Sequence, residues 1–307
     1  MIIGIDVSKD KLDVAFGDQH KVIANTQASI EKLFKQTLKV EKIQLVVFEA
    51  TGGYEKRLLV SLLGLKIPFH RANGFHVRRF SESKRYHAKT DKLDAQILVK
   101  YGEQEEVEAD ELTEQMLRQR EWASRQNQLK QEIQVEQCRQ KGMYIDQGLK
   151  KSSQRLIKQL KKELEKVTGV LDRLLGEDEE QKARIEVAMS MPGIGKETAT
   201  ALVVWLGELG SRSREEIASI AGLAPRTRES GKSKGYASIG GGRSQVRKVL
   251  YMAALVAVRH NKRMKGIYEG MVARGKRKKV ALVAVMRKML VVLNTMMKTG
   301  EMWEDRV

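Results

Sequence analysis

Short apolar runs and amphipathic stretches alternate over the first hundred residues. Apolar or alternating runs predict β-strands at residues 1–5, 11–16, 21–25, 45–48 and 67–70. The run at 45–48 is uninterrupted and rich in β-branched and aromatic residues, which is typical of a central strand that is buried on both faces.

Stretches at helical spacing lie between these runs and after them. Residues 30–38 have an apolar face at helical spacing, and Ser29 is predicted to cap that helix. Residues 54–63 and 91–101 predict two more helices, the last of them capped by Thr90. Three strands followed by alternating helices and strands predict a mixed sheet with helices on its faces, which is the ribonuclease H-like pattern.

The composition changes after about Gly102. Residues up to about Gly176 are rich in Gln, Glu, Lys and Arg, and their scattered leucines fall at spacings of three, four and seven. This pattern predicts long helices in an antiparallel pair or a coiled coil, broken near residues 142–148. A dimerisation or spacer arm and one wall of a helical domain both remain open as roles for it.

From about Ile185 onward the pattern predicts a helical domain with glycine-rich loops. Residues 191–195 (MPGIG) separate two apolar helices, and such a hairpin exposes backbone N–H groups to a phosphate at a helix N-terminus. The segment is therefore interpreted as a helix-hairpin-helix element, with a tight turn that binds no ligand as the alternative. The apolar run from Val280 is interrupted by Arg287 and Lys288, so it predicts a buried helix and no membrane span.

Charge is concentrated in this last part of the chain. The 307 residues carry a net charge of +18, and the segment from Arg226 to Lys288 has eighteen Lys or Arg against two acids, a net +16. A block of this kind favours binding to nucleic acid, because neutralised phosphates release counterions. A single cysteine, Cys138, and the lack of a signal-peptide pattern predict a protein of the reducing cytoplasm.

Four carboxylates are candidates for metal chemistry. Asp6 ends the first predicted strand, Glu49 ends the buried central strand, and Asp91 and Asp94 share one face of a helix. If that helix packs beside the strand ends, the four charges converge and require a cation, and carboxylate oxygens select Mg²⁺. Two such ions can stabilise the attacking and the leaving oxygen of a displacement at phosphorus.

Each of these acids also has an ordinary explanation when it is taken alone. The two helix acids could complement the helix dipole, and the strand acids could be turn or surface residues. Asp10 and Asp13 are predicted to be surface positions on the first hairpin. Ser230, flanked by glycine and arginines, could be a nucleophile towards a phosphodiester or a hydroxyl that contacts phosphate.

The motifs in their order resemble one family, the DEDD transposases of insertion sequences, specifically the family numbered one hundred and ten, which are bridge-RNA-guided recombinases. Residues 4–16 (GIDVSKDKLDVAF) are similar to the family's first-strand motif, residues 49–54 (EATGGY) to its glutamate motif, and residues 89–98 (KTDKLDAQIL) to its paired-aspartate motif. Residues 191–199 and 221–233 match its C-terminal domain in order. The match runs essentially from end to end and is highly specific as a set.

The resemblance implies a fold and a mechanism. Residues 1–104 would form a RuvC-like catalytic domain, residues 105–180 a helical or coiled-coil arm, and residues 181–307 a C-terminal transposase domain. Asp6, Glu49, Asp91 and Asp94 would bind Mg²⁺, and Ser230 would form a covalent bond to DNA.

The resemblance also implies partners. A structured noncoding RNA would pair with target and donor DNA, and a dimer assembling to a tetramer would act in a bacterial or archaeal cytoplasm, associated with the nucleoid. One departure is that Asn73-Gly74 stands where the family usually has Asn-Pro, which puts nucleic-acid contacts at that loop in doubt. The predicted nucleic-acid contacts are Gly193, Gly195, Lys196, Arg226, Arg228, Lys232, Lys234, Arg243, Arg247, Lys276, Arg277, Lys278 and Lys279.

Three other functions compete with this one. A junction-resolving endonuclease would use the same acids with water as the nucleophile. An actin-like sugar kinase shares a strand-Gly-x-Asp-x-Ser opening, but it needs an adenosine-binding turn for which residues 235–243 (GYASIGGGR) are a poor substitute. A non-enzymatic helix-hairpin-helix DNA-binding protein would need no acidic cluster.

Overall fold

The computed structural model describes residues 1–17, 19–50, 52–86, 90–142, 144–226, 229–230, 233–234 and 238–304. For residues 229, 230, 233 and 234 only the backbone is described. The chain forms two compact units, Met1–Glu114 and Gln115–Val307. The predicted arm and the C-terminal helices thus fall in one compact unit, and their division into separate domains stays a prediction.

The first unit is built on a five-stranded mixed sheet. Its strands are β1 (Ile2–Val7), β2 (Lys11–Phe16), β3 (Gln19–Ala24), β4 (Leu45–Glu49) and β5 (Phe69–Ala72). The order is β3-β2-β1-β4-β5, in which β1, β2 and β3 are antiparallel neighbours and β1, β4 and β5 are parallel ones. This mixed sheet agrees with the ribonuclease H-like pattern.

Four helices complete the first unit. They are α1 (Gln27–Leu38), α2 (Lys56–Gly64), α3 (Gly74–Ser83) and α4 (Asp91–Gln104). The cap predicted for α1 is wrong, because the Thr26 side chain accepts from the backbone N–H of Ser29. Helix α3 was not predicted, since only Val77 and Phe80 of its residues are buried and its apolar pattern is correspondingly weak.

Glycines let α4 lie directly on the central strands. A Cβ on Gly4 of β1 would lie 2.1 Å from the carbonyl oxygen of Ala95 and 2.7 Å from the backbone nitrogen of Val99. A Cβ on Gly102 would lie 2.8 Å from a methyl group of Val47 on β4. The helix therefore crosses β1 and β4 at a separation that larger residues would not allow, and this fixes the position of its first turn.

The second unit begins with two long helices, α5 (Glu114–Lys141) and α6 (Gln147–Gly176). The Gln119 side chain donates to the carbonyl oxygen of Leu174 at 3.2 Å, and Gln126 donates to the Thr168 hydroxyl at 2.9 Å. Residue numbers thus increase along α5 in the direction in which they decrease along α6, so the two helices are antiparallel. The antiparallel pair predicted from the sequence is confirmed, with its break at the predicted place.

In the described residues that follow, the structure has six further helices: α7 (Glu179–Ser190), α8 (Lys196–Trp205), α9 (Arg214–Ile220), α10 (Ser244–His260), α11 (Lys262–Ala273) and α12 (Lys278–Thr299). Helix α12 is the one helix in the described ranges that is long and apolar enough to cross a membrane, but half of its most apolar stretch is buried. It packs against α7, α9, α10 and α11, so the structure uses it as a core helix.

Short paired strands lie between α9 and α10 in the chain. Arg226 and Ser238 exchange two backbone hydrogen bonds at the base of this short hairpin, of 2.8 and 3.1 Å. Beyond them, β6 (Glu229–Ser230) pairs with β7 (Ser233–Lys234), and Ser230 is opposite Ser233. These strands were not predicted, because two residues are too few to show a pattern.

Candidate active site

Two of the predicted metal ligands lie on neighbouring parallel strands. Asp6 is the fifth residue of β1, and Glu49 is the last residue of β4. Because Ile5 is paired with Phe48, the next residue along each strand places these two carboxylates side by side. They meet where both strands approach their carboxyl ends, as the sequence predicted.

The other two predicted ligands stand in the first turn of α4. Thr90 caps this helix by accepting a hydrogen bond from the backbone N–H of Leu93 at 3.3 Å. Asp91 and Asp94 follow, and both favour a helix N-terminus for electrostatic reasons. The close crossing at Gly4, described above, brings this turn to the edge of β1 that carries Asp6.

The electrostatics of Asp6 reflect this convergence. Partial burial, followed by the negative charges of Asp94, Asp91, Asp13 and Glu49, raises the pKa of Asp6 from 3.8 to about 6. A carboxyl in such a place is difficult to ionise unless a cation neutralises its neighbours. The four predicted carboxylates therefore lie close enough for their charges to act on one another, and Asp13 is a fifth carboxylate in the same group.

The fifth carboxylate, Asp13, was predicted to be a surface residue, and this prediction is wrong. Asp13 is only 4% exposed and stands directly opposite Asp6 in the antiparallel pairing of β1 and β2. Its carboxylate lies 3.0 Å from His20 Nε2. The signal that could have found it is the run of buried positions around it, from Leu12 to Ala15, which shows that β2 is covered on both faces. Asp10 is exposed, as predicted.

A lysine joins Asp13 to the paired aspartates. Lys11 Nζ lies 2.7 Å from Asp91 Oδ2 and 3.1 Å from Asp13 Oδ2. Its hydrogen bonds to Asp91 and then to Asp13 raise the pKa of Lys11 above the ordinary value for lysine. Sequence reasoning missed Lys11, because the pairing depends on α4 lying over β2.

The carboxylates are suitable ligands for a divalent metal, but their side chains do not converge on one point in this structure. In the described part of the chain, no three Asp, Glu, His or Cys side chains are placed so that together they could hold a metal ion. Asp91 is turned to Lys11, and the Glu49 carboxylate lies so close to Gly74 that a Cβ there would be 2.0 Å from its Oε1. Oxygen ligands from Asp6, Glu49, Asp91 and Asp94 are nevertheless the donors that Mg²⁺ prefers.

Residues 191–195 join α7 to α8 where the sequence predicted a helix-hairpin-helix element, and the structure is compatible with that element or with a tight turn. A Cβ on Gly193 would lie 2.8–2.9 Å from Ala257 of α10, so this glycine serves helix packing. Gly195 has open space around its Cβ position and begins α8 without a side-chain cap. Lys196 is engaged by Asp172 at 2.6 Å. Of these three predicted contacts, Gly195 has the geometry for a phosphate.

Two arginines of the basic block have structural partners. Both terminal nitrogens of Arg243 lie 2.5 Å from the Glu208 carboxylate, and Arg243 lowers the pKa of Glu208 despite its burial. Arg247 donates to the carbonyl oxygens of Ala221 and Gly241. These contacts tie α10 to the loops before it and account for both residues without nucleic acid.

The cations at the start of α12 are arranged differently. Residues 276–279 are all exposed, and they surround a helix N-terminus that has no acidic residue in its first turn. Four cations beside the positive end of a helix repel one another and attract an anion. Arg226 is also exposed, at the base of the hairpin. Arg228 and Lys232 lie outside the described residues, as do the side chains of Ser230 and Lys234.

Two family models match the chain. One, for the DEDD transposases of IS110 elements and described as "Transposase", matches residues 3–143, and a second, described as "Transposase IS116/IS110/IS902 family", matches residues 185–269. The chain belongs to the IS110 family of insertion-sequence transposases. The carboxylate cluster lies in the first matched segment, and the predicted helix-hairpin-helix and the short hairpin lie in the second.

Individual relatives agree with this family. The pilin gene-inverting protein of Moraxella lacunata is 28% identical over 327 aligned positions, which cover 99% of this chain and 98% of that protein. The protein of the same name from Moraxella bovis is equally similar. An uncharacterized 43.6 kDa protein of the insertion element IS110 from Streptomyces coelicolor is 34% identical over 123 residues, 39% of this chain and 30% of that one.

Membership in the family fixes the broad activity of this transposase. It is a transposase of an insertion sequence, which makes DNA its substrate and DNA cleavage and transfer its chemistry. The DEDD transposases use divalent metal ions, in keeping with a cluster that consists of carboxylates.

Proposed function

We propose that this IS110-family transposase is a Mg²⁺-dependent DNA recombinase that is guided by a structured noncoding RNA and forms a covalent serine–DNA intermediate. The observation that carries the metal-dependent part is the environment of Asp6, whose pKa is raised to about 6 by burial and by four neighbouring carboxylates. Such a cluster costs stability in the empty state and gains it when a divalent cation binds.

Asp6, Glu49, Asp91 and Asp94 would hold two ions, which would supply positive charge for the scissile phosphate and for the oxygen that leaves it. Asp6 and Glu49 come from strands and are fixed by the sheet. Asp91 is held by Lys11 and becomes available to a metal when this lysine turns to another anion, for which the DNA phosphate is the natural partner.

Ser230 is proposed as the nucleophile. Its hydroxyl oxygen would form a bond to phosphorus while the bond from phosphorus to one deoxyribose oxygen breaks, and the hydroxyl proton would leave with the released deoxyribose. The proposal is supported by the place of Ser230 at the end of β6, opposite Ser233 in the short pairing of β6 with β7. It also rests on the family resemblance of residues 229–233.

Nucleic acid would bind mainly to the second unit. The strongest candidate surface is formed by residues 276–279 at the start of α12, with Gly195 and Arg226 as further contacts. The antiparallel helices α5 and α6 would serve as a dimerisation arm in a dimer that assembles to a tetramer. A relative that is named for inverting a pilin gene supports strand exchange as the reaction. The protein would act in the cytoplasm, at the nucleoid.

The test uses DNA that spans the ends of the element and the RNA transcribed beside the gene. With Mg²⁺, the wild-type chain is expected to form a DNA adduct that survives denaturing electrophoresis. Ser230→Ala should abolish the adduct and all cleavage, and Asp6→Asn should abolish both while RNA binding is kept. If Ser230→Ala still cuts, water is the nucleophile and the chain is an endonuclease of the junction-resolving kind.

Mixing the two inactive variants tests how the centre is assembled. If the carboxylates of one protomer work with Ser230 of another, a mixture of Asp6→Asn and Ser230→Ala chains regains part of the activity. If both parts come from one chain, the mixture stays inactive.

A further inference from the structure

An aromatic side chain stands exposed beside the carboxylate cluster. Phe75 is 60% exposed, although it is the second residue of α3 and immediately follows Gly74, against which the Glu49 carboxylate lies. Single exposed apolar residues are common on protein surfaces and mean little alone. Phe75 is different because of what holds it and what surrounds it.

The fold places Phe75 next to a residue that the Glu49 carboxylate approaches. Ala72 at the end of β5 is paired with Glu49 at the end of β4, and α3 begins two residues later. The Asn73 side chain caps that helix by accepting a hydrogen bond from the backbone N–H of Phe75 at 2.9 Å. Phe75 is thus attached to the sheet edge by a capped helix start, and its distance from the carboxylates does not depend on a loose loop.

One cation lies against the ring. The Arg79 guanidinium carbon lies 5.4 Å from the centroid of the Phe75 ring, one helical turn further on. Glu82 holds Arg79 at 3.1 Å and Arg78 at 3.6 Å. His76 adds a second ring, perpendicular to that of Phe75 at 5.8 Å between centroids. The start of α3 therefore presents a flat apolar surface with one guanidinium group against it, next to the site where a phosphate would bind.

We propose that Phe75, with Arg79 against it, is a stacking platform for an unpaired nucleobase of the DNA strand whose phosphate enters the carboxylate cluster. The inference rests on the proposed function, since it takes the scissile phosphate to lie at Glu49 and Asp6. An aromatic ring and a guanidinium group together match a nucleotide, because the base can stack on the ring while its phosphate is drawn to the cation. The platform would hold the flanking nucleotide unstacked from its neighbour and so position the phosphate for attack.

The first experiment measures whether Phe75 contributes through the base. Binding of a single-stranded DNA of mixed sequence is compared with binding of the same backbone without bases, for the full-length chain without Mg²⁺. Phe75→Ala is expected to weaken binding of the DNA about tenfold, which corresponds to about 1.4 kcal/mol. It is expected to leave binding of the abasic backbone unchanged. Val40→Ala, at another strongly exposed apolar residue of the first unit, is the matched control and should change neither.

The second experiment places a reporter at the platform. Phe75→Trp keeps an aromatic ring there, and its fluorescence in excess of the wild-type signal should be quenched by the DNA and not by the abasic backbone. Equal losses for DNA and abasic backbone in Phe75→Ala, or no loss at all, would overturn the proposal. Quenching of Phe75→Trp by the abasic backbone alone would also overturn it.

The outcome is separable from that of the proposed function. Both measurements are repeated in the Asp6→Asn background, where cleavage is abolished but the ring is unaltered. Base-dependent binding that persists there supports the platform, even if the wild-type chain proves unable to cut DNA. Cleavage and adduct formation that persist at full rate and with unchanged DNA affinity in Phe75→Ala refute the platform and leave the proposed function intact.

Discussion

Replacing Asp6 by Asn removes the carboxylate that is surrounded by the other four, and the effect on the free energy of unfolding should depend on pH. The native state raises the pKa of Asp6 from 3.8 to about 6, so it binds this proton more tightly than the unfolded chain does. The wild-type chain therefore has the full benefit of the protonated carboxyl below pH 3.8 and loses it as the pH rises through 6. Asparagine does not titrate and shows no such loss.

The size of the loss follows from the shift. About two pKa units correspond to roughly 3 kcal/mol, and because Asp6 is only half-buried, screening by solvent reduces this to about 1–1.5 kcal/mol. For a folding unit of this size, that amounts to a melting temperature about 4–6 °C higher for Asp6→Asn at neutral pH. Differential scanning calorimetry without metal, from acidic to neutral pH, measures the difference directly.

Mg²⁺ provides the control. It should raise the melting temperature of the wild-type chain at neutral pH and leave Asp6→Asn nearly unchanged, so that the gap closes. A difference between the two chains that stays constant from about pH 4 to pH 7.5 would refute the electrostatic reasoning, because only a titrating group can produce the dependence.

Three further changes have expected outcomes. Gly4→Ala should destabilise the chain by about 4 kcal/mol or prevent folding, since its Cβ would overlap the backbone of α4, whereas Gly64→Ala, with open space around it, should be nearly neutral; equal thermal denaturation curves would contradict this. Lys11→Met removes the cation that lies between Asp13 and Asp91. It should therefore lower the melting temperature without metal and enlarge the rise in melting temperature on adding Mg²⁺. An unchanged rise would show that Lys11 does not balance the charge of the carboxylates. Arg243→Met should lower the free energy of unfolding in urea by about 2–3 kcal/mol, because it leaves Glu208 without its partner. Lys278→Met should keep that stability and reduce the slope of log K for DNA binding against log salt concentration by about one. The reverse pattern would show that Arg243 is a DNA contact.

The hydrophobic pattern predicted the strands and the long helices well, because their burial repeats along the chain. All five strands of the first unit were predicted within two residues at each end, and the cap of α4 at Thr90 was predicted correctly. Helix α3 was missed, since only Val77 and Phe80 of its residues are buried and its third large apolar residue, Phe75, is exposed. The β6–β7 hairpin was missed because a strand of two residues has no period.

At the candidate site, the sequence showed which acidic residues to expect but not which side chains they contact in the fold. The strand acids and the paired aspartates follow from position within an element. Lys11 could not be assigned from the sequence, because its role depends on α4 lying across β2. Glycine and arginine were ambiguous for a similar reason: Gly193 serves the packing of α10 and Arg243 binds Glu208, contacts that only the fold creates.

The crossing of α4 over Gly4 divides that helix into two parts of unequal local stability. From Ala95 onward, its inner face is locked against the sheet, whereas the first turn ends the helix, with Asp91 exposed and the turn held by the Thr90 cap, by Lys11 and by the partly buried Leu93. One turn of helix can fray at low cost while the rest of the unit stays folded. Two of the four proposed ligands can thus be withdrawn without unfolding the sheet, so amide hydrogen exchange in that turn is expected to report how often the proposed centre is disassembled. Nucleic acid that orders the turn would make assembly of the centre depend on the presence of its substrate.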